Sequence, residues 1–418
     1  MKKNALYKRS ATTIFVISLL VLFLSKCIDK SKEQDGLLKN ATGKQFAGSA
    51  TCANCHKEIY TNYIHTAHAL TSQPASEQSI KGSFAPSENS FSYGNNTIVA
   101  MEKRSTGFYQ VEYDNGIEKA AHRFDIVVGS GVKGQSFITI HNNQFFQLPI
   151  TYFSAAKEWS NSPGYPNKII FNRPITSRCL ECHTTFAKTL PTDYNTPEKF
   201  DNTKIIYSIS CEKCHGPGAE HVAFQTQNPN IKTAKYIINP ATLTRQQNLE
   251  FCASCHGGRL KKTKPSFEFA IGDTLANYFE SDTTVPNPNN IDVHGNQYGL
   301  LKASKCFKMS TTMTCNTCHN AHDNERGNTV VFSQRCLNCH QNQNSATHQT
   351  ECKLIASYGA IIKRDCISCH MPLKSSKAIA VFLPGNTAPT AARIRSHLIT
   401  VYPEETQKVL LLLTKSVK

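Results

Sequence analysis

Seven copies of a five-residue motif, CxxCH, constrain this 418-residue chain more than any other feature. In each copy two cysteines lie three positions apart, on one side of a helical turn, and a histidine follows the second cysteine. Thiols at this spacing can form thioethers to the two vinyl groups of a haem, and the histidine then lies beneath the iron as its proximal ligand. Numbered 1 to 7 in chain order, the motifs comprise Cys52, Cys55 and His56; Cys179, Cys182 and His183; Cys211, Cys214 and His215; Cys252, Cys255 and His256; Cys315, Cys318 and His319; Cys336, Cys339 and His340; and Cys366, Cys369 and His370.

Zinc sites and disulfides are the alternative uses of paired cysteines. A Cys₄ zinc site needs two CxxC knuckles, and seven is an odd number. A disulfide-stapled secreted domain places no demand on the residue after each pair. Histidine accounts for 16 of the 418 residues, yet it follows every CxxC in the chain. The motifs therefore predict seven c-type haems, with iron as the metal.

The N-terminus predicts export from the cytoplasm. Residues 1–26 combine basic residues with an apolar run, Ala11–Leu24, that is shorter than the roughly 20 residues needed to cross a bilayer. Cys27 follows a sequence that resembles a lipobox, so we expect a lipoprotein of the periplasm or cell envelope, attached to a membrane through Cys27. An uncleaved N-terminal anchor is the alternative. Residues 27–48 are polar and predict a flexible tether.

The formal net charge of +16 does not indicate a nucleic-acid partner. Five of the positive charges lie in residues 1–26, and each haem brings two propionates that offset much of the remainder. The basic surplus is therefore expected to neutralise cofactors. The expected partners are redox proteins or a quinol-side donor, and the oligomeric state stays open.

We expect a fold that is mainly α-helical with much irregular structure, packed around covalently bound haems over residues 49–400. A small antiparallel β insertion, at about residues 95–155, is expected between motif 1 and the other motifs, because alternating apolar segments there are separated by hairpin signals. A C-terminal helix is expected over residues 401–418, opened by Pro403. The predicted strands are Thr97–Arg104, Phe108–Tyr113, Ile117–Val128, Ser136–His141 and Phe145–Phe153.

Nine histidines lie outside the motifs, and seven haems need at most seven distal ligands. Nearly every iron can therefore be bis-histidine, which is typical of low-potential centres that transfer electrons. These nine are His65, His68, His122, His141, His221, His294, His322, His348 and His397. Met309, Met313 and Met371 are alternative axial ligands, although methionine beside apolar residues more often packs in a core.

Local sequence narrows the roles of some of these histidines. His65 and His68 share one face of a predicted helix, and one of the two is expected to bind iron. Strand parity places His122 on an apolar face, where a histidine is either a satisfied core residue or a ligand of a nearby haem, and leaves His141 more exposed. His322 lies one helical turn from His319, on the wrong side for its own haem, and is expected to reach a neighbouring haem.

Cys306 and Cys352 are left over from the motifs and lie in the region of the last three, Cys306 before motif 5 and Cys352 between motifs 6 and 7. Their number alone predicts a disulfide in an oxidising compartment, with two unpaired thiols as the alternative.

The motif sequences resemble a known family. CEKCHGPGAEH (Cys211–His221), CNTCHNAH (Cys315–His322) and CISCHMP (Cys366–Pro372) are similar to the multihaem cytochromes of the cytochrome c-552/4 family, relatives of the lineage that includes hydroxylamine oxidoreductase. The resemblance covers most of residues 49–400. CANCHKEIYTNYIHTAHA (Cys52–Ala69) is similar to the first-haem segment of that family, which implies that His68 is the ligand. No motif is CxxCK, so the lysine-ligated haem of pentahaem nitrite reductases has no counterpart.

Two functions remain compatible with this sequence. The first is an electron carrier with bis-histidine haems, whose predicted distal ligands are His68, His122, His221, His294, His322, His348 and His397. The second is a haem oxidoreductase that acts on a small nitrogen or sulfur oxyanion, such as nitrite, hydroxylamine or a tetrathionate-like ion, at one iron without a distal ligand. His122 is the least supported ligand, so an open iron would be the one that His122 fails to complete.

Overall fold

The computed structural model describes residues 37–258, 260–280, 296–340 and 352–416. The predicted export signal, Cys27, His294 and His348 lie outside the described residues, as does the tether before residue 37.

The expectation of a mainly helical fold is wrong. The structure is 30% helix and 26% strand. Its strands form antiparallel sheets of nine, four and two strands. In chain order the strands are β1 Ser72–Pro74, β2 Ser90–Gly94, β3 Thr97–Arg104, β4 Gly107–Asp114, β5 Ile117–Arg123, β6 Ile126–Val128, β7 Gly134–His141, β8 Gln144–Gln147, β9 Ile150–Phe153, β10 Glu158–Asn161, β11 Arg173–Pro174, β12 Thr184–Leu190, β13 Lys199–Tyr207, β14 Leu373–Val381 and β15 Thr390–Arg395.

The helices are short, and several do little more than hold a motif. They are α1 Ser49–Ala53, α2 Lys57–Tyr63, α3 Ser177–His183, α4 Cys211–His215, α5 Ala219–Gln227, α6 Arg245–His256, α7 Gln297–Ala303, α8 Lys305–Met309, α9 Thr329–His340, α10 Ile355–Tyr358, α11 Cys366–His370 and α12 Pro403–Ser416. The C-terminal helix begins at Pro403, as predicted, and packs on α11. Helix α2 ends at Tyr63, so His65 and His68 lie in the turns after it and do not share a helical face.

The four-stranded sheet is a meander, β2-β3-β4-β5, and asparagine and glycine form its first and last turns. Asn95 and Asn96 connect β2 to β3, and Asn115 and Gly116 connect β4 to β5, all four with positive φ. Such left-handed pairs give the turns whose twist matches that of antiparallel strands. Strand β3 has the predicted bounds, Thr97–Arg104.

The nine-stranded sheet extends beyond the expected insertion at both ends. Its main path is β1-β6-β7-β8-β13-β12, and it joins the segment after motif 1 to the segment between motifs 2 and 3. Strand β12 begins at Thr184, directly after His183. The β structure is therefore a scaffold that spans the first three motifs, and not a small insertion between motif 1 and the rest.

Two apolar clusters fix the sheets to each other and to the motifs. In the first, Phe124, Phe137 and Trp159 pack together, and the Trp159 Nε1 donates to the Ser83 carbonyl at 2.7 Å. In the second, Leu180 of α3 packs with Ile138 and Phe145 of the large sheet. Burial of each such side chain contributes about 1.5–3 kcal/mol. Leu180 thus anchors motif 2 on the sheet.

Candidate cofactor sites

Each motif is held in a helical turn that brings its two thiols to one side. The His56 amide donates to the Cys52 carbonyl at 2.9 Å, and the His319 amide donates to the Cys315 carbonyl at 3.0 Å. Helix α6, which ends at His256, begins with a capping box in which Thr244 and Gln247 bond each other's backbone. The local geometry that haem attachment requires is therefore built by the motif and its preceding turn.

Motifs 1 to 5 open onto one cavity of about 2310 Å³. Five motif histidines line it, together with three histidines from other segments. These eight residues are His56, His183, His215, His256, His319, His68, His221 and His322. One space of this size, bordered by thiols and imidazoles, fits a set of large planar cofactors that lie close to one another.

Three pairs of imidazole rings face each other across that space or beside it. The ring centroids are 6.2 Å apart for His68 and His256, 6.0 Å for His215 and His322, and 6.2 Å for His319 and His397. Two imidazoles that bind one first-row metal from opposite sides, with metal–nitrogen distances of about 2.0–2.1 Å, have centroids about 6 Å apart. Each pair consists of one motif histidine and one histidine from a distant segment.

Backbone carbonyls fix the orientation of four of the candidate iron-binding histidines. Nδ1 of His215 lies 2.9 Å from the Ile238 carbonyl oxygen, and Nδ1 of His221 lies 2.9 Å from the Lys235 carbonyl oxygen. Nδ1 of His370 lies 3.0 Å from the Thr400 carbonyl oxygen, and Nδ1 of His397 lies 3.3 Å from the Arg395 carbonyl oxygen. A carbonyl oxygen only accepts, so Nδ1 carries the proton and donates. Nε2 is then the unprotonated nitrogen, as in metal-binding histidines.

Burial lowers the pKa of several of the paired rings. The His256 ring is accessible from the cavity but otherwise surrounded by protein, and burial lowers its pKa to about 4, with His68 contributing. Burial also lowers the pKa of His397 to about 4, with His319 contributing. The pKa of His68 is lowered by burial and by the charge of His319. Neutral imidazole is the form that binds a metal, so these rings are ready ligands near pH 7.

Thiols of different motifs lie side by side. The thiols of Cys52 and Cys211 interact, and this interaction raises the pKa of Cys52 and lowers the pKa of Cys211 to about 6. Motifs 1 and 3 are therefore neighbours. In the same way, interaction with the Cys182 thiol lowers the pKa of Cys255 to about 6, so motifs 2 and 4 are neighbours. The Cys252 thiol lowers the pKa of Cys315, which joins motifs 4 and 5. Backbone contacts between the same motifs agree with these three pairs, which do not depend on the thiols remaining free.

Weaker interactions complete the order of the sites. Burial raises the pKa of Cys214 to about 12, and Cys255 adds to this, so motif 3 adjoins motif 4. Burial raises the pKa of Cys336 to about 12, with contributions from Cys366 and Cys318, so motif 6 lies between motifs 5 and 7. The sites therefore form the series 1-3-4-5-6-7, with motif 2 beside motif 4.

The structure places His122 and His141 away from the motifs. His122 stacks on Phe171 with ring centroids 4.1 Å apart. His141 is exposed and its Nε2 lies 3.0 Å from the Asn142 amide nitrogen. The cavity wall next to motif 2 is formed by Val128, Ile138 and their neighbours in the large sheet, and within the described residues this wall contains no histidine. His65 is exposed and is not part of the cavity lining.

The cavity lining is strongly basic. Its cationic residues are Lys133, Arg173, Lys213, Lys232, Arg245, Arg326 and Arg335. Among the described residues of the lining, Glu212 is the only carboxylate, and it accepts the amides of Ala47, Gly48 and Gly218 at 2.7–2.8 Å. The lining therefore suits cofactors that carry carboxylates.

Two buried glutamates inside motifs hold distant segments, a role that sequence reasoning missed. Glu212, in CEKCH, holds the backbone of Ala47 and Gly48, directly before the helix of motif 1. Glu181, in CLECH, bonds Lys262 at 2.7 Å, Arg178 at 2.9 Å and the Phe267 amide at 2.8 Å. The sequence signal was the acidic residue between the two cysteines of each motif, because haem attachment does not require an acidic residue there.

Cys306 and Cys352 do not form the predicted disulfide, since both thiols are free. The charge of Cys339 helps to raise the pKa of Cys306, whereas Cys352 acts on Cys366 and Cys369. The two cysteines adjoin different motifs, and their even number gave no information about distance. Met309 is 57% exposed, whereas Met313 packs against a cluster of buried apolar residues.

Comparison with known proteins agrees with this picture. A family profile described as cytochrome c554 and c-prime matches residues 152–216, which contain motifs 2 and 3. A search of the curated proteins found no match. Among solved structures, the chain is similar to the outer cell wall cytochrome OcwA, with a TM-score of 0.51, 17% identity, and coverage of 87% of this chain and 81% of that chain. At this identity the similarity concerns the fold.

The motifs, the paired imidazoles and these comparisons support a multihaem c-type cytochrome. They support haem-based electron transfer as its general role. The narrower resemblance to the cytochrome c-552/4 family stays a prediction. None of the helices in the described ranges combines the length and apolar composition needed to cross a membrane.

Proposed function

We propose that this protein binds seven c-type haems and conducts electrons along the series of sites 1-3-4-5-6-7. The observation that carries the proposal is the set of three imidazole pairs at 6.0–6.2 Å, each built from two distant parts of the chain. When bound, each haem supplies an iron that accepts and releases one electron. The two cysteines of each motif are its covalent anchors, and the motif histidine is the proximal ligand.

The distal ligands in this proposal follow from the ring pairs. His68 belongs to motif 4, His322 to motif 3 and His397 to motif 5. His221 lines the same cavity, with its Nδ1 occupied by the Lys235 carbonyl, and is proposed as the ligand of a further motif. His294 and His348, outside the described residues, stay candidates from sequence, and His122 is no longer proposed.

Two motifs that are well separated in the series are exposed. Cys55 and His56 of motif 1, at one end, are exposed, and so are Cys339 and His340 of motif 6, next to the other end. Burial lowers the pKa of His256 and of His397, which belong to sites 4 and 5 in the middle of the series. This distribution suits a conductor that receives electrons from one redox partner and delivers them to another at a separate place.

We further propose that the protein works in the cell envelope, attached through a lipid on Cys27. The apolar run before Cys27 supports export, and c-type haems are attached outside the cytoplasm. The similar structure is described as an outer cell wall cytochrome, which is compatible with this location. The donor is proposed to be a quinol-side or other redox protein.

The haem content and spin state of the purified protein test the main proposal. A pyridine haemochrome assay should give seven haems per chain, and denaturation should release none. Electron paramagnetic resonance of the oxidised protein should be dominated by low-spin ferric signals. About four haems, or stoichiometric zinc, would contradict the proposal.

The wall beside motif 2 favours a second candidate function, the reduction or oxidation of a small oxyanion. Leu180 packs motif 2 against Ile138 of the sheet, and the sheet contributes apolar and hydroxyl side chains to the cavity wall. An iron above His183 would then lack a sixth ligand. A high-spin ferric signal that responds to nitrite or hydroxylamine supports this function, and haems that are all low-spin and inert to carbon monoxide exclude it.

A further inference from the structure

The Glu212 carboxylate lies between motifs 1 and 3 and bonds the backbone on both sides. Glu212 follows the first cysteine of motif 3, and the residue is only 3% exposed. Its Oε1 accepts the amides of Ala47 and Gly218, each at 2.7 Å, and its Oε2 accepts the Gly48 amide at 2.8 Å. One side chain of motif 3 therefore holds the backbone that leads into motif 1.

These bonds place the carboxylate close to one anchoring cysteine of each motif. Glu212 follows Cys211 directly, and helix α1, which contains Cys52, begins at the residue after Gly48. The Cys52 sulfur lies 3.6 Å from the Gly48 carbonyl oxygen, and the amide of the same glycine bonds Glu212. Helix α1 also contacts helix α4, and both cysteines line the cavity together with Glu212. The carboxylate thus lies at the boundary between sites 1 and 3.

No cation forms an ion pair with Glu212 within the parts of the chain that the structure describes. The Nζ of the adjacent Lys213 lies over the Phe267 ring instead, 5.3 Å from its centroid. Glu181, the other buried glutamate inside a motif, differs because Lys262 and Arg178 bind it. The three groups that bond Glu212 are all N–H donors, which match an ionised carboxylate because that form only accepts. Its negative charge is therefore held by neutral groups.

A buried carboxylate beside a haem acts on the reduction potential of the iron. Reduction removes one positive charge from the iron, so a nearby negative charge stabilises the ferric state and lowers the potential. The interaction is stronger where the surroundings are less polarisable than water, and it weakens with distance. Glu212 is buried at the boundary of two sites, so two irons are close enough to respond.

We propose that Glu212 is a positioning residue that also tunes two haems: its bonds hold motif 1 against motif 3, and its charge lowers the reduction potentials of the haems at both motifs. This inference rests on the proposed haem content. Site 4 lies farther along the series and is affected less. The charge therefore favours electron transfer from site 3 to site 4 over the reverse step.

The test uses the full-length, haem-loaded protein and two substitutions of Glu212. Glu212→Gln removes the charge but keeps an oxygen that can accept the Ala47 and Gly218 amides. Glu212→Asp keeps the charge but is one methylene shorter, so it cannot keep all three bonds. Glu220→Gln is the matched control, because it removes an exposed carboxylate from helix α5, just after motif 3.

Redox titration followed by visible absorption separates the effect of the charge from that of the bonds. Glu212→Gln should raise the midpoint potentials of two of the seven haems, whereas Glu212→Asp and Glu220→Gln should retain the wild-type titration. Thermal unfolding should show a lower Tm for Glu212→Asp, because bonds between motifs 1 and 3 are lost. A purely structural role predicts instead that the Asp variant shifts the potentials at least as much as the Gln variant.

A second substitution identifies one of the two haems. Under the proposed ligation, His322→Ala leaves the motif 3 iron without its distal ligand, so electron paramagnetic resonance can follow that iron by a high-spin ferric signal. Addition of Glu212→Gln should make this signal disappear at a higher potential during reduction, and addition of Glu220→Gln should leave it unchanged. A signal that is unaffected by Glu212→Gln would contradict the effect on site 3.

Fully loaded Glu212→Gln protein with wild-type potentials would overturn the inference, and so would equal shifts in the Gln and Asp variants. If Glu212→Gln fails to bind its haems, Glu212→Asp still decides, because a loaded Asp variant with two raised potentials is incompatible with a role of the charge. A wild-type protein without seven haems would overturn the proposed function instead.

Discussion

At the residue scale, the motif residues could be predicted because their geometry is local. Five consecutive positions are enough to place the thiols and the proximal imidazole. The partner of each ring could not be predicted, because His68 reaches His256 through the tertiary fold and no spacing encodes that pair. His322 was expected to serve a neighbouring haem, and the structure places it opposite His215.

Replacement of His397 by Ala should leave one iron without its distal ligand. His397 faces His319 and is oriented by the Arg395 carbonyl, so its loss removes one of the two imidazoles of this pair. One high-spin ferric signal should appear, and the reduced protein should bind about one carbon monoxide per chain. His65→Ala is the matched control, because His65 is exposed and outside the cavity lining. A low-spin, inert His397→Ala protein would show that His397 is not a ligand.

Replacement of Glu181 by Gln should destabilise the protein by roughly 3 kcal/mol, because it leaves Lys262 and Arg178 without their buried carboxylate. Burial alone would raise the pKa of Glu181, but the bonds from Lys262 and the Phe267 amide hold it below its usual value. Its stabilisation is therefore present above the unfolded-state pKa and is lost as pH falls through the lower folded-state pKa.

Denaturant titrations at neutral and acidic pH measure this effect. The difference between wild type and Glu181→Gln should shrink as pH falls below about 4.5. Glu220→Gln, at an exposed position on α5, should show little change at any pH. Equal stability of Glu181→Gln and wild type at pH 7 would contradict the assigned role.

At the element scale, strands with clear alternation and asparagine turns were predictable, whereas irregular strands were not. The pairing of β12 with β13 has register shifts between Thr184 and Phe186 and between Ala187 and Thr189, which break the alternation that sequence analysis uses. The pairing of β14 with β15 shifts between Ser375 and Ala380. The motifs also suggested more helix than they form, because a CxxCH turn needs only about one helical turn.

Replacement of Gly82 by Ala should weaken the contact between the two larger sheets. A Cβ at this position would overlap Cζ2 of Trp159, a residue that is 2% exposed and cannot move freely. Overpacking of this kind costs about 1–3 kcal/mol. Thermal unfolding should show a lower Tm for Gly82→Ala.

A double-mutant cycle with Trp159→Phe provides the control for that effect. Phenylalanine lacks the Cζ2 atom, so Gly82→Ala should cost less in the Trp159→Phe background than in wild type. Equal costs in both backgrounds would mean that Trp159 is not the obstacle.

At the scale of the whole molecule, a β scaffold supports a series of haem sites that extends to both ends of the chain. The large sheet holds motifs 1 to 3, and the β14-β15 hairpin, with α12 packed on α11, holds motif 7. The motif count predicted the number of sites but not which structural elements support each of them. The order of the sites depends on contacts between motifs far apart in sequence, such as Cys52 with Cys211.

Replacement of Cys27 by Ser should release the protein from membranes. The predicted lipid on Cys27 would be the attachment, so its loss should give a soluble protein that keeps its full haem content. Cell fractionation followed by a haem stain measures the distribution, with Cys306→Ser as the matched control at a cysteine outside the motifs. If Cys27→Ser stays in the membrane fraction, the apolar run Ala11–Leu24 is the anchor.

Iron ligation by the three imidazole pairs would also constrain the unfolded chain. Under the proposed ligation, each iron ties a covalently attached motif to a remote histidine and closes a loop of roughly 190, 110 or 80 residues. A permanent cross-link over loops of this length lowers the entropy of the unfolded state by an amount equivalent to about 4–5 kcal/mol. Unlike a disulfide, such a link opens when acid protonates the remote imidazole and closes again at neutral pH. The haems would then be reversible staples of the fold, and its resistance to heat and denaturant would fall with pH even though no cofactor leaves the chain.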